Sequence, residues 1–482
     1  MKKIAIFIFV LFIPFFVFAQ ENSSDLENEL FGGDEDTLIS AEEASSENKS
    51  GLKFKADLEK ATLSLESKKM RIGGSLSSSM GIDYAWVDPY SKKDDYLKSF
   101  KDGKGSFNTT LNGSLFFDAR PNEDLKLYGK FLFGFPFEKS LSGALTVPKN
   151  SFGPLQPNDI SLPIGVNGAA NIKIQELYTD FSAKDIAFFR FGKHAVKWGT
   201  GYFYSPADVI NISRIDPQDP TADREGGISL RTHIIIPKTQ HNIWLYLLPP
   251  GQGEDFDPKY TAGAAKGEFV VGNWELGFGG WYKYEKAPRL ITTVSGSIAG
   301  KVAVFGEGVF AWGSDYTYYK ADMSSYTEKN KPFFQATLGG SYSNADTNTS
   351  IALQYFYNGF GYSNTDVSTS ILEKAEDPVS LSDASFRKKL QNILAMGNRG
   401  QHYIALNISQ NKLGTDKLSL NLFQQFAISE LEGFSKLTLN WKIYKFASMS
   451  TGPSFSYPLS PSSKTKGQIG YSLSFRLGGG TF

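Results

Sequence analysis

Residues 70–87 read Met-Arg-Ile-Gly-Gly-Ser-Leu-Ser-Ser-Ser-Met-Gly-Ile-Asp-Tyr-Ala-Trp-Val. Ile72, Gly74, Leu76, Ser78, Met80, Ile82, Tyr84 and Trp86 share one parity, which is mostly apolar and ends in aromatics. Arg71, Gly73, Ser75, Ser77, Ser79, Gly81, Asp83 and Ala85 hold the other, which is small or charged. Successive side chains on a strand point to opposite faces, so the alternation predicts one long strand between two different environments. Glycine and serine are poor strand formers, so burial context must override propensity here.

The same period recurs along the chain. Leu125, Leu127, Phe131 and Phe133 alternate with Lys126, Tyr128 and Lys130, and Tyr471, Leu473, Phe475 and Leu477 oppose Ser472, Ser474 and Arg476. About eighteen such segments are expected, near 70–86, 106–118, 124–134, 171–183, 186–196, 226–237, 240–249, 260–272, 274–285, 288–300, 301–313, 332–344, 348–359, 400–410, 416–427, 433–442, 444–457 and 466–477. They are longer than the ~5–6 residues usual in soluble sheets and match the ~9–11 that cross a bilayer. Every second connection is short, as at Gly272–Asn273, Gly300–Lys301 and Ile443, while most of the intervening ones (87–105, 135–170, 197–225, 250–259, 314–331 and 360–399) are long, Glu285–Ala287 and Ser429–Glu432 being short exceptions. Tight turns at one end and long loops at the other are the pattern of outer-membrane barrels. The expected fold is therefore all-β: a transmembrane antiparallel up-and-down β-barrel of about eighteen strands (16–18). Five of the seven tryptophans (Trp86, Trp198, Trp274, Trp312 and Trp441) fall at the ends of expected strands, where interfacial girdles belong.

The N-terminus carries an address. Lys2 and Lys3 precede an apolar stretch, Ile4–Phe18, that closes on Val17-Phe18-Ala19. Fifteen apolar residues are too few to span a bilayer, so residues 1–19 are expected to be a secretory signal peptide. Residues 20–50 hold ten acids against Lys49 alone, a charge of −9, and are expected to be a disordered periplasmic tail. Residues 51–69 are expected to be a linker or an extra strand, and 70–482 the barrel. The 482 residues contain fifty basic and fifty acidic side chains. That balance conceals the acidic tail beside a body, 51–482, of 47 bases and 40 acids, or +7. The absence of cysteine excludes disulfides, thiolate metal sites and a lipoprotein anchor. No GxSxG, HExxH or P-loop pattern is present, so neither an enzyme nor a cofactor or metal site is expected.

Residues 186–226 read IAFFRFGKHAVKWGTGYFYSPADVINISRIDPQDPTADREG. Arg190-Phe191-Gly192-Lys193, Trp198-Gly199 and Ala207-Asp208-Val209-Ile210-Asn211 in this stretch resemble a segment of porin-type outer-membrane proteins of the alginate-export-like kind. The tail with Leu30-Phe31-Gly32-Gly33 resembles outer-membrane proteins of treponemal spirochaetes. The likeness covers about a tenth of the chain. It implies a barrel and transmembrane passage in a bacterial outer membrane, and fixes no substrate. Phe482 resembles the terminal aromatic by which such barrels engage the assembly machinery, although Gly478-Gly479-Gly480 interrupts the last strand.

An eighteen-stranded barrel encloses an aqueous lumen. Its polar parity would be lined by Arg71, Asp83, Lys126, Lys130, Lys173, Arg190, His194, Arg231, His233, Glu275, Lys283, Arg289, Glu307, Lys436, Lys442 and Arg476. Bases outnumber acids, so a weak anion preference is expected. Loop 197–225 is the expected constriction, with Arg214, Asp216, Asp219, Asp223, Arg224 and Glu225 in the path and Arg190, His194 and Arg231 on the wall beside it; an outer lid or a surface epitope stays open for the same loop. Loop 360–399 should hold a helix capped by Ser382, striped by Phe386, Leu390, Ile393 and Leu394, and ended by Gly397. The expected function is passive passage of small hydrophilic solutes. A channel dedicated to a polysaccharide or a hydrophobic compound, and a surface adhesin, stay open. Expected partners are outer-membrane lipid, the barrel assembly machinery and small solutes, with a homotrimer as one open assembly and no nucleic acid.

Overall fold

The computed structural model describes residues 70–87, 100–122, 124–136, 171–183, 186–222, 224–250, 257–375, 378–460 and 467–477, with Pro89 and Ser463. The signal peptide, the acidic tail, segment 51–69, Asp223 and Gly478–Phe482 lie outside them.

Twenty strands follow in chain order. They are β1 (Met70–Val87), β2 (Lys104–Asn122), β3 (Leu125–Pro136), β4 (Asn171–Ala183), β5 (Ala187–Lys193), β6 (Ile228–Ile235), β7 (Asn242–Leu248), β8 (Ala262–Val271), β9 (Trp274–Tyr282), β10 (Arg289–Ile298), β11 (Val302–Trp312), β12 (Thr317–Tyr319), β13 (Ser325–Thr327), β14 (Pro332–Asn344), β15 (Thr349–Asn358), β16 (His402–Gln410), β17 (Leu418–Ala427), β18 (Glu432–Tyr444), β19 (Ala447–Pro458) and β20 (Gln468–Leu477). Eighteen of them form one sheet, and β12–β13 is a separate hairpin. Neighbours in sequence pair antiparallel, and β1 pairs with both β2 and β20 (Ser78↔Leu477 to Val87↔Gln468), so the sheet closes on itself. A closed sheet has no edge with unpaired backbone groups, as the interior of a bilayer requires.

Exposure inverts the usual order. Leu290 is 64% exposed and Leu338 62%, while Lys126 is 4% exposed, Glu307 5% and Gln354 0%. Apolar parity points outward all round the wall and polar parity inward, which is the arrangement of a barrel with lipid outside and a polar lumen. Each of the eighteen expected segments corresponds to one barrel strand.

Most strand ends shift by a few residues, and two ends and one side chain depart in ways that bear on the site. The segment expected at 186–196 ends at Lys193, because His194 N–H bonds Gly227 O at 3.3 Å and the chain leaves the wall. The turn expected at Ile443 falls at Lys445–Phe446, after a register shift between Lys442 and Tyr444. Trp198 is not at an interface: it is 2% exposed and sits inside the barrel. Trp274 and Trp312 are exposed at strand ends, and Trp441 is exposed three residues before the end of β18.

Loop 360–399 holds three helices, α1 (Asp366–Lys374), α2 (Pro378–Ser382) and α3 (Ala384–Met396). The α3 cap is Asp383 rather than Ser382: its side chain accepts from Ser385 N–H at 2.8 Å, and the Ser382 hydroxyl instead donates to Val379 O. Gly397, at φ 70°, ends the helix as expected. Leu390, Ile393 and Leu394 pack with Tyr318, Tyr319 and Ile371 of the hairpin and α1. The stripe thus serves a small outer cap with its own core.

Candidate constriction site

The segment between β5 and β6 folds inward, about half-way up the strands. Its residues on either side of 199–206 lie on β7–β11. Trp198 meets Tyr246 edge-on at 5.0 Å, and Val196, Ala207 and Ile210 complete an apolar cluster with Ala264, Ile291 and Val309. Lys266 Nζ donates to Trp198 O at 2.9 Å. Between them the chain crosses to β15–β18, where Phe203 and Tyr204 pack among Phe356, Tyr403, Phe423 and Phe434.

Two wall side chains hold the crossing backbone. Glu307, the middle residue of β11, accepts hydrogen bonds from Thr200 N–H (2.5 Å), Gly201 N–H (2.6 Å), Ser205 Oγ (2.9 Å) and Ala207 N–H (2.8 Å). A buried carboxylate must recover its lost hydration, and oriented N–H and O–H donors do so here. Gln354 of β15 accepts from the N–H groups of Tyr202 (3.1 Å), Phe203 (2.7 Å) and Tyr204 (3.3 Å), and donates to Tyr204 O (2.6 Å). Gln425 Nε2 donates to the Tyr204 hydroxyl at 2.9 Å. The Gly199-Thr200-Gly201 spacing permits this approach. A Cβ on Gly199 would stand 2.4 Å from Glu307 Oε1, and one on Gly201 would stand 1.9 Å from Tyr204 O.

The returning half is clasped by charges. Asn211 accepts from Val196 N–H at 2.8 Å and donates to Val196 O and to Asp208. Burial pushes the Asp208 carboxyl up, against the pull of Arg224 and Asn211; Arg224 forms an ion pair with it. Glu225 accepts from Lys173 (2.6 Å) and Lys193 (2.7 Å). Partial burial of Glu225 would raise its carboxyl, but the two ammonium groups win and hold it below the usual range. A lowered carboxyl contributes stability that is complete above its unfolded value and lost as pH falls through the folded one. The Glu225 contacts to Lys173 and Lys193 are therefore expected to persist through mild acid and to loosen only below about pH 4. Bilayer recordings at stepped pH on an Asp208→Asn background, which takes the other carboxyl of the clasp out of the titration, check this: rising current noise that begins near pH 6 would contradict it.

Of the eight candidate residues, Arg190, His194 and Arg231 come together at the loop root. Arg190 and Arg231 are register partners on β5 and β6. The buried His194 ring lies edge-on to Tyr178 at 5.9 Å and donates from Nδ1 to Gly192 O at 3.1 Å. Arg190 grips Asp180 through Nε (2.7 Å) and Nη2 (2.9 Å) and lies 3.9 Å over the Tyr178 ring. Similar pairs run along the inner wall: Arg71 on Phe116, Lys126 on Tyr128, Arg231 on Trp244 and Arg289 on Trp281, at 5.2–5.6 Å. A ring face attracts a cation and holds it flat against the wall. The remaining described candidates stand elsewhere. Arg214 reaches outward to the cap, Arg224 is committed to Asp208, and Asp216 and Asp219 are exposed in a small bridged turn.

Glu307 is legible in the sequence as a lumen-lining charge, but its anchoring of the loop, and the parts played by Gln354 and Lys266, are not. A signal was present, since Gly306-Glu307-Gly308 is a lone carboxylate bracketed by glycines mid-strand.

No family model matches the chain, and no curated protein matches it. Among solved structures it is similar to OccK8 (OprE) of Pseudomonas aeruginosa, with 9% identity, TM-score 0.45, and coverage of 84% of this chain and 98% of that one. It is also similar to OccAB1 of Acinetobacter baumannii (9%, TM-score 0.47, 85% and 96%). A third likeness is to OmpF of Salmonella typhi in complex with daunomycin (8%, TM-score 0.38, 84% and 97%).

Proposed function

We propose that the protein is an outer-membrane channel for passive passage of small hydrophilic solutes, narrowed by the infolded loop 194–227. The observation that carries this reading is the docking of that loop on Glu307 and Gln354. It is a built constriction inside a polar lumen, held to the β7–β18 side. The opposite arc, β19–β20–β1–β2, carries Ser75, Ser77, Ser79, Ser114, Ser450 and Ser474 on its inward parity, and Ser75 and Ser114 share a hydrogen bond of 2.7 Å. The passage runs along this hydroxyl arc, beside the row of aromatic-backed cations on β1–β6. Cations fixed on a pore wall favour anions.

In planar bilayers the purified protein is expected to give discrete conductance steps. In a potassium chloride gradient its reversal potential should have the sign of modest anion preference. Clear cation selectivity would refute the role of the wall charges. A folded barrel with no conductance would refute the channel and favour a plugged surface protein.

A further inference from the structure

Arg214 ties the infolded loop to the outer cap. Arg214 donates to the carbonyl of Ala395 at 3.0 Å, to that of Met396, and to the Tyr316 hydroxyl at 2.9 Å. Ala395 and Met396 are the last residues of α3, where helix carbonyls lack partners within the helix. The Gly397 N–H bonds Leu394 O at 3.0 Å, which leaves the two later carbonyls to the guanidinium. The α3 C-terminus is thus capped from another loop, by a cation at the negative end of the helix dipole. The planar fork reaches two carbonyls and a hydroxyl at once, which a lysine ammonium reproduces poorly.

The receiving body is firm. Leu390 and Ile393 of α3 are 0% exposed, and Asn392 Nδ2 bonds the Tyr319 hydroxyl of the hairpin at 2.7 Å. On the loop side, Arg214 follows Asn211, which clamps Val196 at the loop root, and Ser213, whose hydroxyl accepts from Glu225 N–H at 2.6 Å. A displacement of the cap at Arg214 would act within three residues on the clasp that holds the constriction in place.

We infer that Arg214 is a positioning residue through which the outer cap sets the constriction, so that the aperture is controlled from outside the membrane. The inference rests on the constriction reading above. Its test is single-channel recording of the full-length chain as wild type, R214M, R214K, a variant with residues 205–221 deleted, a variant with 363–398 replaced by a short Gly-Ser link, and R214M combined with that cap deletion. R214M is expected to give roughly ten-fold more frequent current excursions, from loss of charge-assisted bonds, with heat-modifiable gel mobility and thermal transition unchanged. R214K should fall between. Cap deletion should reproduce R214M, and the combination should add nothing, because both remove one contact.

Wild-type recordings from R214M, or additive effects of R214M and cap deletion, would overturn the inference while the 205–221 deletion still widens the channel. A 205–221 deletion with unchanged conductance would overturn the constriction reading and this inference with it. Should R214M fail to assemble, R214K and the cap deletion carry the same comparison.

Discussion

Deleting residues 205–221 and joining the ends with a short Gly-Ser link is expected to roughly double single-channel conductance, since an eighteen-stranded lumen without an inserted loop is a wide aqueous pore. The deletion removes Ala207 and Ile210, which fill the lumen against Ile291 and Val309, together with the Asp208–Arg224 clasp. The barrel itself should persist, because its strands pair with one another all round the sheet. Heat-modifiable gel mobility checks assembly, and bilayer recordings check the aperture. Unchanged conductance in a correctly assembled barrel would remove the loop from the permeation path.

The second large effect is expected at Glu307. Glu307→Ala removes the acceptor for three backbone N–H groups and the Ser205 hydroxyl, and leaves those donors inside the barrel without it. Hydrogen bonds to a charged group are each worth about 1.5–3 kcal/mol. A loss of about 3 kcal/mol changes the docked-to-undocked ratio about a hundred-fold. The loop would leave the wall and sample the open arc, so recordings should show flicker among several levels in place of one stable conductance. Glu307→Gln is not a mild control. Oε1 accepts from Thr200, Gly201 and Ser205, and Oε2 from Ala207 and Ser205. An amide nitrogen in either place would face donors, so the glutamine variant should flicker as well. A quiet, wild-type-like Glu307→Ala channel would show that Gln354 and the aromatic cluster suffice to hold the loop.

The wall was legible in the sequence because its signal is local. Period-two alternation needs only a strand's own residues, so Leu76 against Ser77 or Lys126 against Leu127 reports which face meets lipid. Loop lengths gave the two ends of the barrel, and Gly397 marked the end of α3. The residues whose place the sequence does not show are those whose setting is not local. Trp198 has the sequence context of a girdle tryptophan, yet it lies inside because the chain turns inward after Lys193. Ser382 and Asp383 are both good helix caps, and the one that serves is decided by a backbone turn that composition does not specify. Arg214 and Asp216 sit two residues apart in one charged loop. One caps a helix in another loop, and the other is exposed.

The alternation of residues by itself determined an antiparallel barrel of about eighteen strands, its inward and outward faces, and which connections are long. Tertiary structure alone decided which long loop enters the lumen and what holds it there. The physical reason is distance along the chain. Thr200 meets Glu307 across 107 residues, and Tyr202 meets Gln354 across 152. Such contacts exist only after the sheet has closed and brought β11 and β15 opposite the end of β5.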